Sequence, residues 1–203
     1  EKVHEVDGIE RIRLSSVEPM TFDDRFFSLL PHLDKLCRHF HLSLQSGCDE
    51  ILKRMNRKYT THEYKEVVEK LRDIHPDVGI TTDLIVGFPG ETDEEFAQTV
   101  RFIDEISFSG MHIFKFSPRK GTPAAKFKNQ VDPRIKDERS KIVSEIARKN
   151  KVKFMNRMMG KNFKVLYEQL VDDGSKFYEG LTDNYIRVIA ESAYDIKGKN
   201  IDT

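Results

Sequence analysis

The sequence predicts an α/β protein, a parallel sheet covered by helices and followed by a small antiparallel β-domain. Three observations predict it. Strand and helix signals alternate over the first 160 residues. The strongest strand, with its Leu84-Ile85-Val86 run, is almost continuously apolar, as strands buried on both faces are. Beyond residue 160 the apolar residues fall at period two, around an Asp172-Asp173-Gly174 turn.

Residues 8–16 carry Ile12 and Leu14 at period two and read as a first strand, leaving through Ser15-Ser16-Val17-Glu18-Pro19. Residues 21–39 space Phe22, Phe26, Leu29, Leu30, Leu33 and Leu36 as a helix that Pro31 interrupts. Residues 40–45 form a short second strand and residues 49–56 a short helix. Thr60 and Glu63 make a capping box ahead of Tyr64, Val67, Val68, Leu71 and Ile74, and Pro76 stops that helix. Residues 78–86 are the third strand, ending in Gly87-Phe88-Pro89-Gly90. Thr92 and Glu95 repeat the capping box before Phe96, Val100, Ile103 and Ile106. Residues 110–116 are the fourth strand. Asp132-Pro133 then opens a helix running to Met159, about 27 residues or ~40 Å, with Ile135, Ile142, Ile146 and Phe154 inward. Four strands joined by helical crossovers form a parallel sheet. The expected division is residues 1–159 and residues 160–203.

Composition narrows the function classes. Of 203 residues 38% are hydrophobic and 33% charged, which supplies a core and argues against disorder. No apolar run approaches the ~18–20 residues of a membrane span, and no signal peptide opens the chain. Two cysteines, Cys37 and Cys48, suit a reducing, cytoplasmic setting. They are too few for an iron–sulfur cluster held by four thiolates. A first residue Glu1 suggests a piece of a longer product.

The net charge of zero conceals an asymmetry. Residues 1–114 balance to −8, residues 115–164 to +12 and residues 165–203 to −4. The basic block includes Arg119, Lys120, Lys126, Lys128, Arg134, Lys136, Arg139 and Lys141. Such a band points to a polyanionic partner or to a solvated, lysine-rich helix face.

Ligands of parallel sheets sit at the carboxyl ends of the strands. Each expected end here is polar or glycine-rich: Ser15, Ser16 and Glu18; Gln45, Ser46 and Gly47; Thr82, Asp83, Gly87 and Gly90; Ser117, Arg119 and Gly121. Their convergence describes a polar small-molecule site, although turn chemistry alone also places such residues there. His39 and His41 form an i, i+2 pair, but no third ligand is near in sequence. Cys37 falls on an apolar helical stripe, Cys48 at a rim that is partly open, and Met158 and Met159 between helix and β-domain.

Five segments, RIRLSSVEP (11–19), HLSLQSG (41–47), ILKRMNRKYT (51–60), TTDLIVGFPGET (81–92) and SPRKGTPAA (117–125), occur in order. Together they resemble the later half of the radical S-adenosylmethionine (SAM) barrel of the tRNA and ribosomal-protein methylthiotransferases. The tail segments GKNFKVLYE (160–168) and YEGLTDNYIRV (178–188) are similar to the start of the TRAM domain of those enzymes. The resemblance implies a partial (βα) barrel followed by an incomplete TRAM-like β-domain. The SSVEP and SPR segments are most similar to the branch that modifies threonylcarbamoyladenosine at position 37 of tRNA.

The resemblance also implies roles for single residues. By it, Glu18 would face the SAM amino group, Gln45 and Ser46 the ribose, with Gly47 admitting close approach. Arg57 would reach the methionine carboxylate, unless it is a solvated helix-end arginine. Asp83 would lie on the ligand face, Gly87 and Gly90 would turn beside the adenine, and Phe116 and Ser117 would flank its edge. Arg119 would lie near the substrate base or the methionine carboxylate. Lys128, Lys136 and Lys141 would meet tRNA phosphates. Iron–sulfur clusters belong to the full-length enzyme, whose CxxxCxxC loop this chain lacks, so the chain alone is expected to be inactive and to need the missing N-terminal part. The alternatives are a non-catalytic RNA-binding module, or a methylthiotransferase acting on another tRNA base or on a ribosomal protein.

Overall fold

The computed structural model describes residues 1–203. Three parallel strands, β1 (His39–His41), β2 (Gly79–Val86) and β3 (Gly110–Lys115), lie side by side in that order. Helices α1 (Asp24–Leu29), α2 (Asp49–Arg54), α3 (Thr61–Ile74), α4 (Asp93–Ile106) and α5 (Pro133–Met158) accompany them. Both capping boxes form: Thr60 and Thr92 each accept from the backbone of the glutamate three residues on. One apolar cluster joins Phe40, Leu42, Leu44, Ile80, Leu84 and Val86 to Tyr64, Val68, Leu71, Phe102 and Ile103.

Residues 8–16 do not make a regular strand. Two isolated parallel bridges, Ile12 with Leu36 and Val17 with Leu42, attach this segment to the residues around β1. The offset between partners changes by one residue from the first bridge to the second, so no continuous ladder survives. A second one-residue slip, against β2, ends the β1 ladder early. Its ladder pairs His41 with Thr81, whereas Gln45 pairs with Leu84, and Gln45 takes a left-handed φ of 67°. The helix expected over residues 21–39 is reduced to α1 and a short 3-10 turn, Leu30–His32, with Pro31 in its first turn. Cys37 therefore lies outside any helix, between the bridged Leu36 and β1, though it is core as expected.

Helix α5 starts at the anticipated Asp132, whose side chain accepts from the Arg134 amide at 2.7 Å. Its inward face is in part the one expected, since Phe154 is buried and Ile146 packs against the core. Ile135 and Ile142 are exposed, while Lys136, Arg139, Val143, Asn150, Phe154 and Met158 are buried. These six follow helical spacing, so the stripe is one face; two long cations occupy it because their stems pack and their heads find partners.

The tail forms a separate antiparallel sheet of β4 (Lys164–Leu170), β5 (Phe177–Thr182), β6 (Arg187–Glu191) and β7 (Asn200–Asp202), ordered β6-β5-β4-β7. Its β5–β6 turn docks on the amino-terminal end of the parallel sheet. Arg38 Nε donates to Asp183 Oδ2 at 2.5 Å, Asn184 Nδ2 to the Asp77 carbonyl at 2.9 Å, and Arg11 to the Leu181 carbonyl at 3.0 Å. Tyr185, at a φ of 73°, stacks on His39 with ring centroids 4.3 Å apart and lies 4.3 Å under the Arg13 guanidinium carbon. Met158 packs with Phe154 and Phe163, but Met159 is exposed.

Candidate functional site

At the opposite end of the sheet, beyond the carboxyl ends of β2 and β3, lies a cleft of about 550 Å³. Gln45, Asp83, Phe116, Ser117 and Arg119 line it, with Ile85, Phe114, Lys115, Thr122 and Ala124. Strand alternation explains the selection, since Asp83 and Ile85 on β2 point to the face opposite Leu84 and Val86, which enter the core. Gln45 reaches the same face because its left-handed turn redirects the chain after β1. Its amide donates to the Asp83 carbonyl and its own carbonyl accepts from Ile85, both at 2.9 Å. The site joins an apolar wall and two phenyl rings to one carboxylate, one amide, two hydroxyls, one guanidinium and one ammonium. Such a mixture orients a polar, charged small molecule.

Other residues expected at this site are placed elsewhere. Ser46 is fully buried and turns its hydroxyl to Thr99 Oγ1 of α4 at 3.3 Å. Gly47 serves that same helix: a Cβ there would lie 2.9 Å from Phe102 Cβ and 2.9 Å from Thr99 Cα. Glu18 and Arg57 meet each other, with Arg57 donating to Glu18 Oε1 at 2.6 Å on a partly exposed rim. Gly87 and Gly90 do form a turn, with φ of 71° and 77°, Gly87 beneath Lys136 of α5 and Gly90 against Arg54 of α2.

That turn is held by residues the sequence did not single out. The Gly87 amide donates to Glu91 Oε2 at 2.7 Å, and Arg139 donates to the same oxygen at 2.7 Å and to Asp93 at 2.7 Å. Glu91 and Arg139 side chains are 1% and 5% exposed. Burial pushes the Glu91 carboxyl above its ordinary value, and its bonds to Gly87 and Arg139 oppose that shift. Lys136 lies across Gly87, donates to the Phe116 carbonyl at 3.0 Å and approaches the Phe116 ring at 5.4 Å. It is therefore a tether between turn and cleft rather than a free phosphate contact. The helical phase shared by Lys136, Arg139 and Val143 is the signal from which both could have been found.

Lys128 and Lys141 are exposed as a phosphate contact requires. Further along α5, Arg148, Lys149, Val152, Lys153, Asn156 and Arg157 line a shallow groove without any acidic side chain in its wall. Arg148 is paired with Glu145, so the cations left without a carboxylate there are Lys149, Lys153 and Arg157, nearer the tail domain than expected. A second cleft there, between β3, α5 and the tail, is lined by Arg148, Lys151, Tyr185 and Arg187 among others.

The cysteines are separate and buried. Cys37 accepts from Arg11 Nε at 3.3 Å, and Cys48, expected at an open rim, packs with Ile51 and Phe88. Neither fits an iron–sulfur cluster, whose ligands need several thiolates converging on one accessible point. The histidines of the i, i+2 pair share the Thr81 hydroxyl but differ in their other contacts. His39 is bracketed by Arg13 and Thr81, and burial, with Arg13 and His41 adding to it, lowers its pKa to about 3. His41 meets Asp83 Oδ2 at 3.4 Å instead.

The family model described as the radical SAM superfamily matches residues 1–103. The chain is 42% identical over 185 residues to the threonylcarbamoyladenosine tRNA methylthiotransferase of Thermotoga maritima, covering 91% of this chain and 42% of that protein. It is 44% identical over 161 residues to the tRNA-2-methylthio-N(6)-dimethylallyladenosine synthase of Alkaliphilus oremlandii, covering 77% and 34%. The chain therefore spans about two-fifths or less of the length of these two relatives. Among solved structures, coproporphyrinogen III oxidase of Escherichia coli, a radical SAM enzyme, aligns with a TM-score of 0.58 at 18% identity, over 69% of this chain and 32% of that one. The fold is common to both. No helix is long and apolar enough to cross a membrane.

Proposed function

Because this chain belongs to the radical SAM superfamily, we propose that it is the later part of the barrel, with its tail domain, of a cytoplasmic tRNA methylthiotransferase acting on threonylcarbamoyladenosine. The observation that carries the reading is the convergence of Gln45, Asp83, Phe116, Ser117 and Arg119 on one cleft at the strand ends. SAM fits the donor set: a carboxylate for its ammonium, an aromatic edge for adenine, a guanidinium for its carboxylate, and a space within the ~300–1,000 Å³ of small-molecule sites. In this superfamily SAM and a 4Fe–4S cluster supply the radical chemistry. This chain's residues bind and orient. Asp83 accepts from the ammonium, Phe116 flanks the adenine, and Gln45 offers its amide to the ribose. Arg119 takes the methionine carboxylate or the substrate base. Lys136, fastened to the Phe116 carbonyl, and Arg139, fastened through Glu91 to Gly87, keep the adenine side of the cleft in shape.

The cluster ligands belong to another part of a longer protein, and without them this chain does not perform the reaction. The tRNA lies along the cationic face of α5 and the tail domain, where phosphate contacts position it without reading sequence. Calorimetric titration of SAM into the chain tests the cofactor site. Arg119→Ala should weaken binding about tenfold or more, in line with about 1.5–3 kcal/mol for a hydrogen bond to a charged group, and Gln45→Ala about twofold to tenfold, in line with about 0.5–1.5 kcal/mol for a neutral one, while Ser46→Ala changes it little. Equal losses in all three variants would contradict the assignment. The acid-free groove on α5 supports a second reading, a non-catalytic RNA-binding module. Tight RNA binding with no measurable SAM binding, in this chain and in the longer protein, would favour it.

A further inference from the structure

His41, Asp83 and His112 stand on three adjacent parallel strands and turn to one face. Asp83 and His112 are direct register partners of β2 and β3. His41 on β1 is the partner of Thr81, which shares a face with Asp83 two residues along β2. One donor atom from each of the three lies within 4.8 Å of the others. His41 and Asp83 are half-buried and His112 is exposed, so the group is reachable from solvent. Asp83 also borders the cleft at the strand ends and His112 the cleft beside α5, which gives an ion two routes of entry. No lysine or arginine pairs with Asp83; its basic neighbours are the His41 and His112 rings.

We propose that His41, Asp83 and His112 form a binding site for a divalent transition ion of the zinc and cobalt class. Two imidazoles and a carboxylate are the donors such ions take, and three protein ligands leave a position open toward the cleft. The remaining ring nitrogen of His41 is oriented as ligating histidines require. Its Nδ1 lies 3.0 Å from Thr81 Oγ1, and that hydroxyl is also 2.9 Å from His39 Nε2. With Arg13 donating to His39 Nδ1, His39 donates from Nε2, and the Thr81 hydroxyl keeps a lone pair to accept from His41 Nδ1–H when Nε2 ligates an ion. Without an ion a proton on His41 Nε2 faces Asp83; the ion takes the place of that proton while Thr81 holds the ring. The site uses only donors of this chain and does not depend on the tRNA reading; it shares Asp83 with the proposed ammonium contact, so the ion and SAM compete for that carboxylate. It is distinct from an iron–sulfur centre, since it has no thiolate.

Titration of Co²⁺ into the whole chain, followed by its visible ligand-field absorption and by competition with Zn²⁺, tests the site. The expected result is one ion per chain, displaced by Zn²⁺ and not by Mg²⁺. His112→Ala, at an exposed position, and Asp83→Asn should abolish the signal, and Thr81→Val should weaken binding about 10–100-fold, the usual loss for an orienting partner. His62→Ala, which removes an exposed histidine beside Glu66, should leave it unchanged. Absence of a stoichiometric Co²⁺ spectrum overturns the proposal. So does a spectrum that survives His112→Ala or disappears with His62→Ala. SAM titration of Gln45→Ala reads the cofactor assignment separately, so failure of one does not imitate failure of the other.

Discussion

The two ends of the parallel sheet are built from the same kinds of residue and put them to opposite uses. At the amino-terminal end Arg11, Arg13, Arg38 and His39 are all engaged by the tail domain or by one another. At the carboxyl end Arg119, Ser117 and Gln45 border an open cleft. Polar groups that find protein partners act as joints between domains, while those left facing a cavity are available to a ligand. In parallel α/β folds the first end contributes stability and the second carries chemistry. The turn at Gly87 complicates the division, because buried Glu91 and Arg139 stiffen the active end as firmly as any joint at the other.

Five perturbations put this contrast to the test. The largest effect is expected at Arg139→Ala, which leaves the Glu91 carboxylate buried without its cation. Denaturant unfolding should show a loss of about 3–5 kcal/mol, the range for a broken buried pair. A loss below about 1 kcal/mol would show that water readily enters the turn and relieves the buried charge. At the other end Asn184→Ala removes a fully buried amide whose donor satisfies the Asp77 carbonyl and whose oxygen accepts from Thr182. It should destabilise by about 1–3 kcal/mol. Limited proteolysis should then release the tail from residues 1–159 more readily, while SAM affinity in the cleft is unaffected.

His39 makes the same end sensitive to pH. Its folded pKa is lowered to about 3 from an ordinary 6.5, chiefly by burial, so the unfolded chain binds the proton first. Its contribution is complete above pH 6.5 and is lost as the pH falls from there toward 3. The slope approaches about 1.4 kcal/mol per pH unit once the unfolded state is protonated. Unfolding curves at about pH 7 and about pH 5 should differ accordingly, and His39→Gln should flatten the difference. The smallest stability effect belongs to the exposed cations. Lys149→Glu, Lys153→Glu and Arg157→Glu together should change stability by no more than about 0.5 kcal/mol each. They should also lower the dependence of RNA affinity on salt by roughly 0.7–0.9 per lost phosphate contact. Lys136→Met, in contrast, should disturb the cleft and leave the salt slope alone.

Much of this architecture is local and therefore legible in the chain. Thr60 with Glu63, Thr92 with Glu95, and Asp132 with Pro133 mark helix starts because capping is settled within four residues. The apolar run before Gly87-Phe88-Pro89-Gly90 marks the central strand for the same reason, and its partner at 110–116 comes next. The features that folding alone settles are long-range. Residues 8–16 have a strand's pattern, but a one-residue slip against β1, visible only in the pairing, denies them a ladder. Ser46 and Gly47 have the composition of a ligand loop, yet α4 arrives from fifty residues away and claims them. Lys136 and Arg139 look like surface charge until Phe116 and Glu91 come within reach. Neither His41 nor His112 is notable alone; register places both beside Asp83. Residue types and short-range spacing are properties of the chain itself, whereas the partners of a polar side chain depend on which distant backbone the folded core brings against it.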